Sequence, residues 1–230
     1  MRYRHHLLTT LVGGLAFLAS PASAVYMFDL GAGNTALSGY TGPFAHVEVT
    51  LDSATQATVT FASLLDPTNT NIYLMGDGGS VAVNVNAASW NLGLLTTANS
   101  GTGFTPGPLS DGGAGNEDGW GVFNQTFNSF DGYTHSSDFI SIVLNNTSGI
   151  WASDMDVLTA NASGNLAAAH IFVTSSPADA ANGALVTGFA TDGGGGGGNP
   201  PSSVPVPEPG TIVLLGVGLA GLGWMARRRV

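Results

Sequence analysis

The chain contains no cysteine, and it contains no lysine or arginine between positions 25 and 206. Without cysteine, disulfides, thiol catalysis and thiolate zinc sites are all excluded. Without cations the body cannot neutralise phosphates, so we expect no nucleic-acid binding. The 14 carboxylates of the body must therefore face water, accept hydrogen bonds or bind a cation. The five basic residues lie at the chain ends: Arg2, Arg4, Arg227, Arg228 and Arg229.

Charged residues of both signs are scarce, at 9% of the chain against 43% apolar residues. This apolar content is too high for a disordered chain, and 230 residues leave room for one domain with a core. Glycine, serine, threonine and asparagine fill the polar positions. Such a composition favours β-strands joined by many turns.

The first 24 residues have the three parts of a secretory signal peptide. Arg2 and Arg4 form a positive start, and the run from Leu7 to Ala19 is mainly apolar. Small residues follow, with Ala22 and Ala24 forming an A-x-A cleavage site. We predict a signal peptide over residues 1–24, with cleavage after Ala24.

The C-terminal end begins with a linker that we assign to residues 193–204. Six consecutive glycines open it, and their backbone entropy is costly to fix. An uncharged stretch at 211–226 then predicts a membrane helix of about 24 Å, against a hydrocarbon core of about 30 Å. Trp224 suits the interface, and Arg227, Arg228 and Arg229 predict a cytoplasmic end in the inner membrane.

The tail over residues 205–230 resembles the PEP-CTERM sorting signal, which is also described as the C-terminal domain of ice-binding proteins. The likeness rests on Pro207, Glu208 and Pro209, on the hydrophobic stretch and on the terminal arginines. It implies that an exosortase, a membrane-embedded cysteine transpeptidase-like enzyme of Gram-negative bacteria that make exopolysaccharide, cleaves near the Pro-Glu-Pro motif. The resemblance gives no ground for ice binding, because Thr58-Val-Thr60 is a single T-x-T.

The body, residues 25–192, shows several segments in which apolar and polar residues alternate. Val81, Val83 and Val85 share one face of a strand, and residues 44–51 and 58–61 alternate in the same way. Residues 139–144 and 171–174 are more densely apolar and are expected to be more deeply buried, and 185–190 is expected to be the closing strand. No sustained helical period is present. The pattern predicts an all-β fold, an antiparallel β-sandwich or jelly roll. Residues 119–138 also resemble uncharacterised bodies that precede PEP-CTERM tails.

We expect no cofactor, and solvated acidic turns are the first interpretation of the carboxylates in the body. Calcium is the alternative that their chemistry fits best. We interpret residues 111–119 as a flexible glycine-rich loop that carries Asp111, Asn116, Glu117 and Asp118. Hard oxygen ligands on such a loop suit Ca²⁺, although the spacing matches neither an EF-hand nor a nonapeptide repeat.

Two hydrolase alternatives rest on local groupings of polar residues. His135-Ser136-Ser137-Asp138 contains triad residue types, but neighbours in a chain point in different directions and no G-x-S-x-G is present. Glu117–Asp118 and Asp154/Asp156 are carboxylate pairs of unknown separation. The aromatic residues Trp90, Trp120, Tyr133 and Trp151 either contact sugar or anchor the core, and core anchoring is the commoner role.

We therefore expect an exported protein of the cell surface or extracellular matrix that is processed by exosortase. Its body is predicted to be a non-enzymatic structural or adhesive module, with exopolysaccharide as a candidate partner. A calcium-assisted carbohydrate-binding module is the alternative, and an exported hydrolase comes third.

Overall fold

Alternating apolar residues form a two-sheet, all-β fold in the computed structural model, which describes residues 25–193 and the backbone of 202–204. All of them belong to one compact unit, Ser23–Val206. The signal peptide, most of the linker and the sorting tail predicted above lie outside the described residues. In the described part of the chain, no helix is long and apolar enough to span a membrane.

The first sheet, sheet A, has six antiparallel strands in the order β13-β1-β3-β4-β10-β7. Its strands are β1 (Val25–Leu30), β3 (Ala45–Ser53), β4 (Gln56–Ser63), β7 (Trp90–Ala98), β10 (Phe139–Asn146) and β13 (Ser202–Val204).

The second sheet, sheet B, has seven strands, ordered β2-β12-β11-β6-β9-β8, with β5 also pairing to β11. They are β2 (Ala32–Gly33), β5 (Asn71–Met75), β6 (Asp77–Val83), β8 (Ser110–Glu117), β9 (Gly121–Ser129), β11 (Ala167–Ser175) and β12 (Val186–Thr191). Strands β5 and β6 pair with successive parts of β11, separated by a bulge in which Asp77 and Gly79 have φ of 64° and 65°.

One hydrophobic core lies between the inner faces of the two sheets. Sheet A contributes residues such as Val47 and Ile142, and sheet B contributes residues such as Val81 and Ile171, all fully buried. Two smaller apolar clusters, around Phe172 and Phe123, lie against sheet B.

The predicted all-β class and antiparallel pairing are confirmed. The faces predicted from alternation are correct in β3, β4 and β6, where Val47, Val59 and Val81 are among the buried core residues. The deep burial predicted for residues 171–174 is confirmed in β11. The deep burial predicted for 139–144 is wrong, because β10 alternates and leaves Phe139 exposed. The interpretation of residues 111–119 as a flexible loop is wrong, because Ser110–Glu117 is strand β8 and pairs with β9. Pairing with a neighbouring strand overrides the poor strand propensity of its glycines.

The chain enters and leaves the sandwich at one corner of sheet A. Strand β13 pairs with β1 in the register Val25↔Val204 and Met27↔Ser202. The last three residues of the predicted linker are therefore an edge strand rather than free chain. They also cover the outer edge of β1, which would otherwise present unpaired backbone groups.

Candidate functional site

The four predicted calcium ligands do not converge in the structure. Asp111 Oδ1 accepts hydrogen bonds from the Gly113 N–H at 2.8 Å and from Gln125 Nε2 at 2.7 Å. Along the strand Glu117 is buried, whereas its neighbours Asn116 and Asp118 are exposed. Within residues 25–193 there is no group of three or more His, Asp or Glu side chains that could hold a metal ion. Calcium binding by this segment stays a prediction.

Glu117 is the most unusual carboxylate of the described chain. It is 2% exposed, its Oε2 has no hydrogen-bond partner, and its carboxyl group lies against the Cα of Gly79 in the β6 bulge. Burial raises the pKa of Glu117 to about 8. The side chain is therefore mainly protonated near neutral pH, which avoids an unpaired buried charge.

His170 lies beside the same bulge on the outer face of sheet B. Its Nδ1 donates to the Gly78 carbonyl at 3.2 Å, so Nε2 is the acceptor for the Thr187 hydroxyl at 2.5 Å. The ring stacks on Phe189 with centroids 4.4 Å apart. Burial lowers the pKa of His170, and Asp77 opposes that shift. The histidine is thus a neutral, fully bonded group that fixes the bulge.

Other carboxylates are stabilised by hydrogen bonds, since the body has no lysine or arginine that could pair with them. Asp192 is 8% exposed and accepts bonds from the Leu166 N–H at 3.0 Å and the Thr191 hydroxyl at 3.0 Å. Burial raises the pKa of Asp192, and these bonds oppose the shift. Between described residues, the one ion pair joins His46 and Asp29 at 2.6 Å on sheet A.

The residues of the local groupings considered for hydrolysis have other hydrogen-bond partners or differ in burial. His135 Nδ1 bonds to the Asp131 carbonyl at 3.0 Å, and Asp138 is bonded to Ser100 instead. In the second pair Asp154 is 3% exposed, while Asp156 accepts a bond from the Ser153 hydroxyl at 2.9 Å. Glu117 and Asp118, the third grouping, differ in burial as described above.

The four aromatic residues considered for sugar contact act as structural anchors. Trp151 is 2% exposed and donates from Nε1 to the Asn86 carbonyl at 2.8 Å. The three half-buried rings also make hydrogen bonds: Trp90 to Gln125, Trp120 to the Phe189 carbonyl, and Tyr133 to Thr174. A buried aromatic body with a bonded polar tip is typical of a packing role.

A groove of roughly 530 Å³ lies at the end of sheet A opposite the Val25–Val204 corner. Leu65 and Phe139, which are 43% and 37% exposed, give it apolar surface together with Ile72 and Pro177. Its volume lies within the range of small-molecule sites, about 300–1,000 Å³.

Asp138 and Ser100 provide the polar side of this groove. Asp138 Oδ2 accepts bonds from the Ser100 N–H at 2.7 Å and the Ser100 hydroxyl at 2.5 Å. The other carboxylate oxygen, Oδ1, has no hydrogen-bond partner among the described residues and is not a buried atom. The groove therefore holds a fixed carboxylate with one free acceptor beside an exposed aromatic ring.

Sequence reasoning missed this groove, although part of its signal was present. Phe139 begins a strand in which Ile140, Ile142 and Leu144 are buried, so alternation already directs Phe139 outward. No local pattern indicates that Leu65 and Pro177 come close to it.

The residues predicted for sorting and processing lie outside the described part of the chain: Ala22, Ala24, Pro207, Glu208, Pro209, Trp224, Arg227, Arg228 and Arg229. No curated protein and no solved structure matches the chain. The described fold alone defines an all-β domain with two antiparallel sheets.

A family model described as the PEP-CTERM protein-sorting motif matches residues 205–229. The chain thus carries this motif directly after strand β13. The motif marks an exported protein that is sorted by an exosortase and that has a membrane-anchored C-terminal sorting tail.

Proposed function

We propose that the sandwich is a non-enzymatic structural or adhesive module that exosortase processing delivers to the cell surface or the extracellular matrix. In this proposal the signal peptide of residues 1–24 starts export. The tail then holds the chain in the inner membrane, with its arginines in the cytoplasm, until cleavage near Pro207–Pro209. The mature protein begins at Val25 and ends after β13.

The observation that carries the proposal is that the first and last strands of the sandwich meet at one corner of sheet A. Val25 and Val204 are paired neighbours on sheet A, so both connections to targeting segments leave from one end of the sandwich. Along β1 the other end lies five residues further, or about 17 Å away. The groove beside Phe139 is at that other end. A module tethered at one end and carrying a ligand groove at the other suits adhesion.

The outer face of sheet A adds a second contact surface of suitable chemistry. A cross-strand row runs from Glu48 through Thr60 and Ser141 to Thr96, all half-buried or exposed. Short hydroxyl side chains on a sheet lose little rotamer freedom when a partner covers them. This face lacks lysine and arginine, so it favours neutral or cationic partners over anionic ones.

The test is a deletion strain complemented with the native chain or with Glu208→Ala. We expect native complementation to restore surface attachment and matrix retention of the protein, whereas Glu208→Ala leaves the chain in the membrane fraction and restores neither. If the deletion strain attaches to surfaces and forms matrix as well as the strain that makes the native chain, the proposal is overturned.

A further inference from the structure

We propose that the groove beside Phe139 binds a neutral saccharide, with the Phe139 ring as the stacking platform and Asp138 as the acceptor for sugar hydroxyls. This inference rests on the proposed adhesive function and names the ligand class of its contact site.

The apolar part of the groove matches the carbon face of a sugar ring. Phe139 pairs with Ala62 on one side and Ala98 on the other, and these small residues leave the ring standing above its neighbours. Leu65 and Pro177 line the groove as well. Aromatic and aliphatic surfaces of this kind gain energy when a ligand displaces water from them.

The polar part of the groove matches hydroxyl groups. A carboxylate oxygen has lone pairs for hydroxyl donors, and bonds to an ionised acceptor are stronger than neutral ones. Asp138 presents Oδ1 for that purpose, since Ser100 already occupies Oδ2. The bonds from Ser100 also hold the carboxylate in place before a ligand arrives, which lowers the entropy cost of binding.

The charge of the body selects a neutral ligand. Residues 25–206 carry 14 carboxylates and no lysine or arginine. An anionic polymer would meet like charge and would find no guanidinium or ammonium group to pair with.

The backbone around the groove argues against an extended peptide as the occupant. Four N–H groups of the lining already donate: Ser63 to the Asp138 carbonyl, Gly101 to Asn99, Thr102 to the Ala178 carbonyl and Ser176 to the Thr70 carbonyl. Peptides that add to a sheet need free backbone donors and acceptors. A saccharide uses the side-chain acceptor and the ring that remain.

The experiment is native gel electrophoresis of the full chain in a detergent without a sugar headgroup. The gels contain dextran, hydroxyethyl cellulose or galactomannan as neutral probes, or alginate as the anionic probe. We expect at least one neutral polymer to retard the native chain and alginate to leave it unretarded. Phe139→Ala should weaken the affinity for the retarding polymer about tenfold or more, as expected for a central aromatic contact.

Two further variants separate binding from folding. Phe139→Trp keeps an aromatic platform and should retain retardation. Phe130→Ala removes a phenyl group that is 69% exposed and does not line the groove, so it should leave retardation unchanged. Equal losses in Phe139→Ala and Phe130→Ala would overturn the inference, as would retention of full affinity by Phe139→Ala.

The outcomes also separate this inference from the proposed function. A chain that no neutral polymer retards, but that still reaches the surface and restores attachment, overturns the saccharide groove alone. A retarded chain that is never processed or exported supports the groove and overturns the delivery proposal.

Discussion

Replacing Glu117 by glutamine should make the stability of the sandwich less dependent on pH. The folded protein holds the pKa of this carboxyl at about 8, raised by burial from 4.5. A group whose folded pKa is raised contributes stability below its unfolded pKa, and that contribution is lost as pH rises toward the folded pKa. The loss amounts to about 1.4 kcal/mol per pH unit, or about 4–5 kcal/mol in total across this window.

The assay is urea unfolding of the full chain in detergent, followed by circular dichroism at intervals from pH 5 to pH 8. Glutamine fills the same space beside Gly79 and cannot ionise. We expect the variant to gain stability relative to the native chain steadily as pH rises. Glu48→Gln, on the outer face of sheet A, is the control for loss of one carboxylate. A constant difference between Glu117→Gln and the native chain over this range would refute the reasoning.

Three further predictions concern packing and processing. Gly79→Ala should lower the free energy of unfolding by about 1–3 kcal/mol through backbone strain at φ 65°, and by more through a clash with Glu117. The contribution of the clash should disappear when Glu117 is also replaced by alanine. If the effects of the two substitutions on the free energy of unfolding are strictly additive, the prediction is wrong. Phe61→Ala should destabilise by about 3–5 kcal/mol, whereas Phe130→Ala should change stability by about 0.5 kcal/mol or less, as thermal unfolding would measure. Glu208→Ala should accumulate as an unprocessed chain in the membrane fraction on immunoblots, and normal processing would count against its role in the sorting motif.

Alternation identified several strands with one buried face, among them β3 and β4, but not β1, which also alternates. In β3 and β4 the buried residues fall at every second position, and Leu51 on the same face is half-buried, so local sequence determines which face meets the core. Six of the twelve strands within residues 25–192 were not predicted, namely β1, β2, β5, β7, β8 and β9. For two of them the structure shows a physical reason. A bulge in the pairing of β7 with β10 breaks the alternation near Gly93, and β8 is rich in glycine and polar residues with little strand propensity.

The groove shows why a binding site is harder to predict than a strand. Its walls come from residues near 63, 100, 138 and 177, which lie in four separate segments. The pairing of β4 with β10, the hydrogen bonds of Ser100 to Asp138 and the bond of Thr102 to Ala178 bring them together. Glu117 makes a similar point: sequence reasoning selected it as an exposed metal ligand, but the fold of the β8–β9 hairpin buries it against Gly79.

The measurement that most directly tests the account is intact mass spectrometry of the protein, fraction by fraction, from cells that make it. The account predicts that the surface or matrix form begins at Val25 and ends near Pro207–Pro209, while a longer form with the tail is confined to the inner membrane. A soluble cytosolic chain that retains both Met1 and Val230 would contradict it.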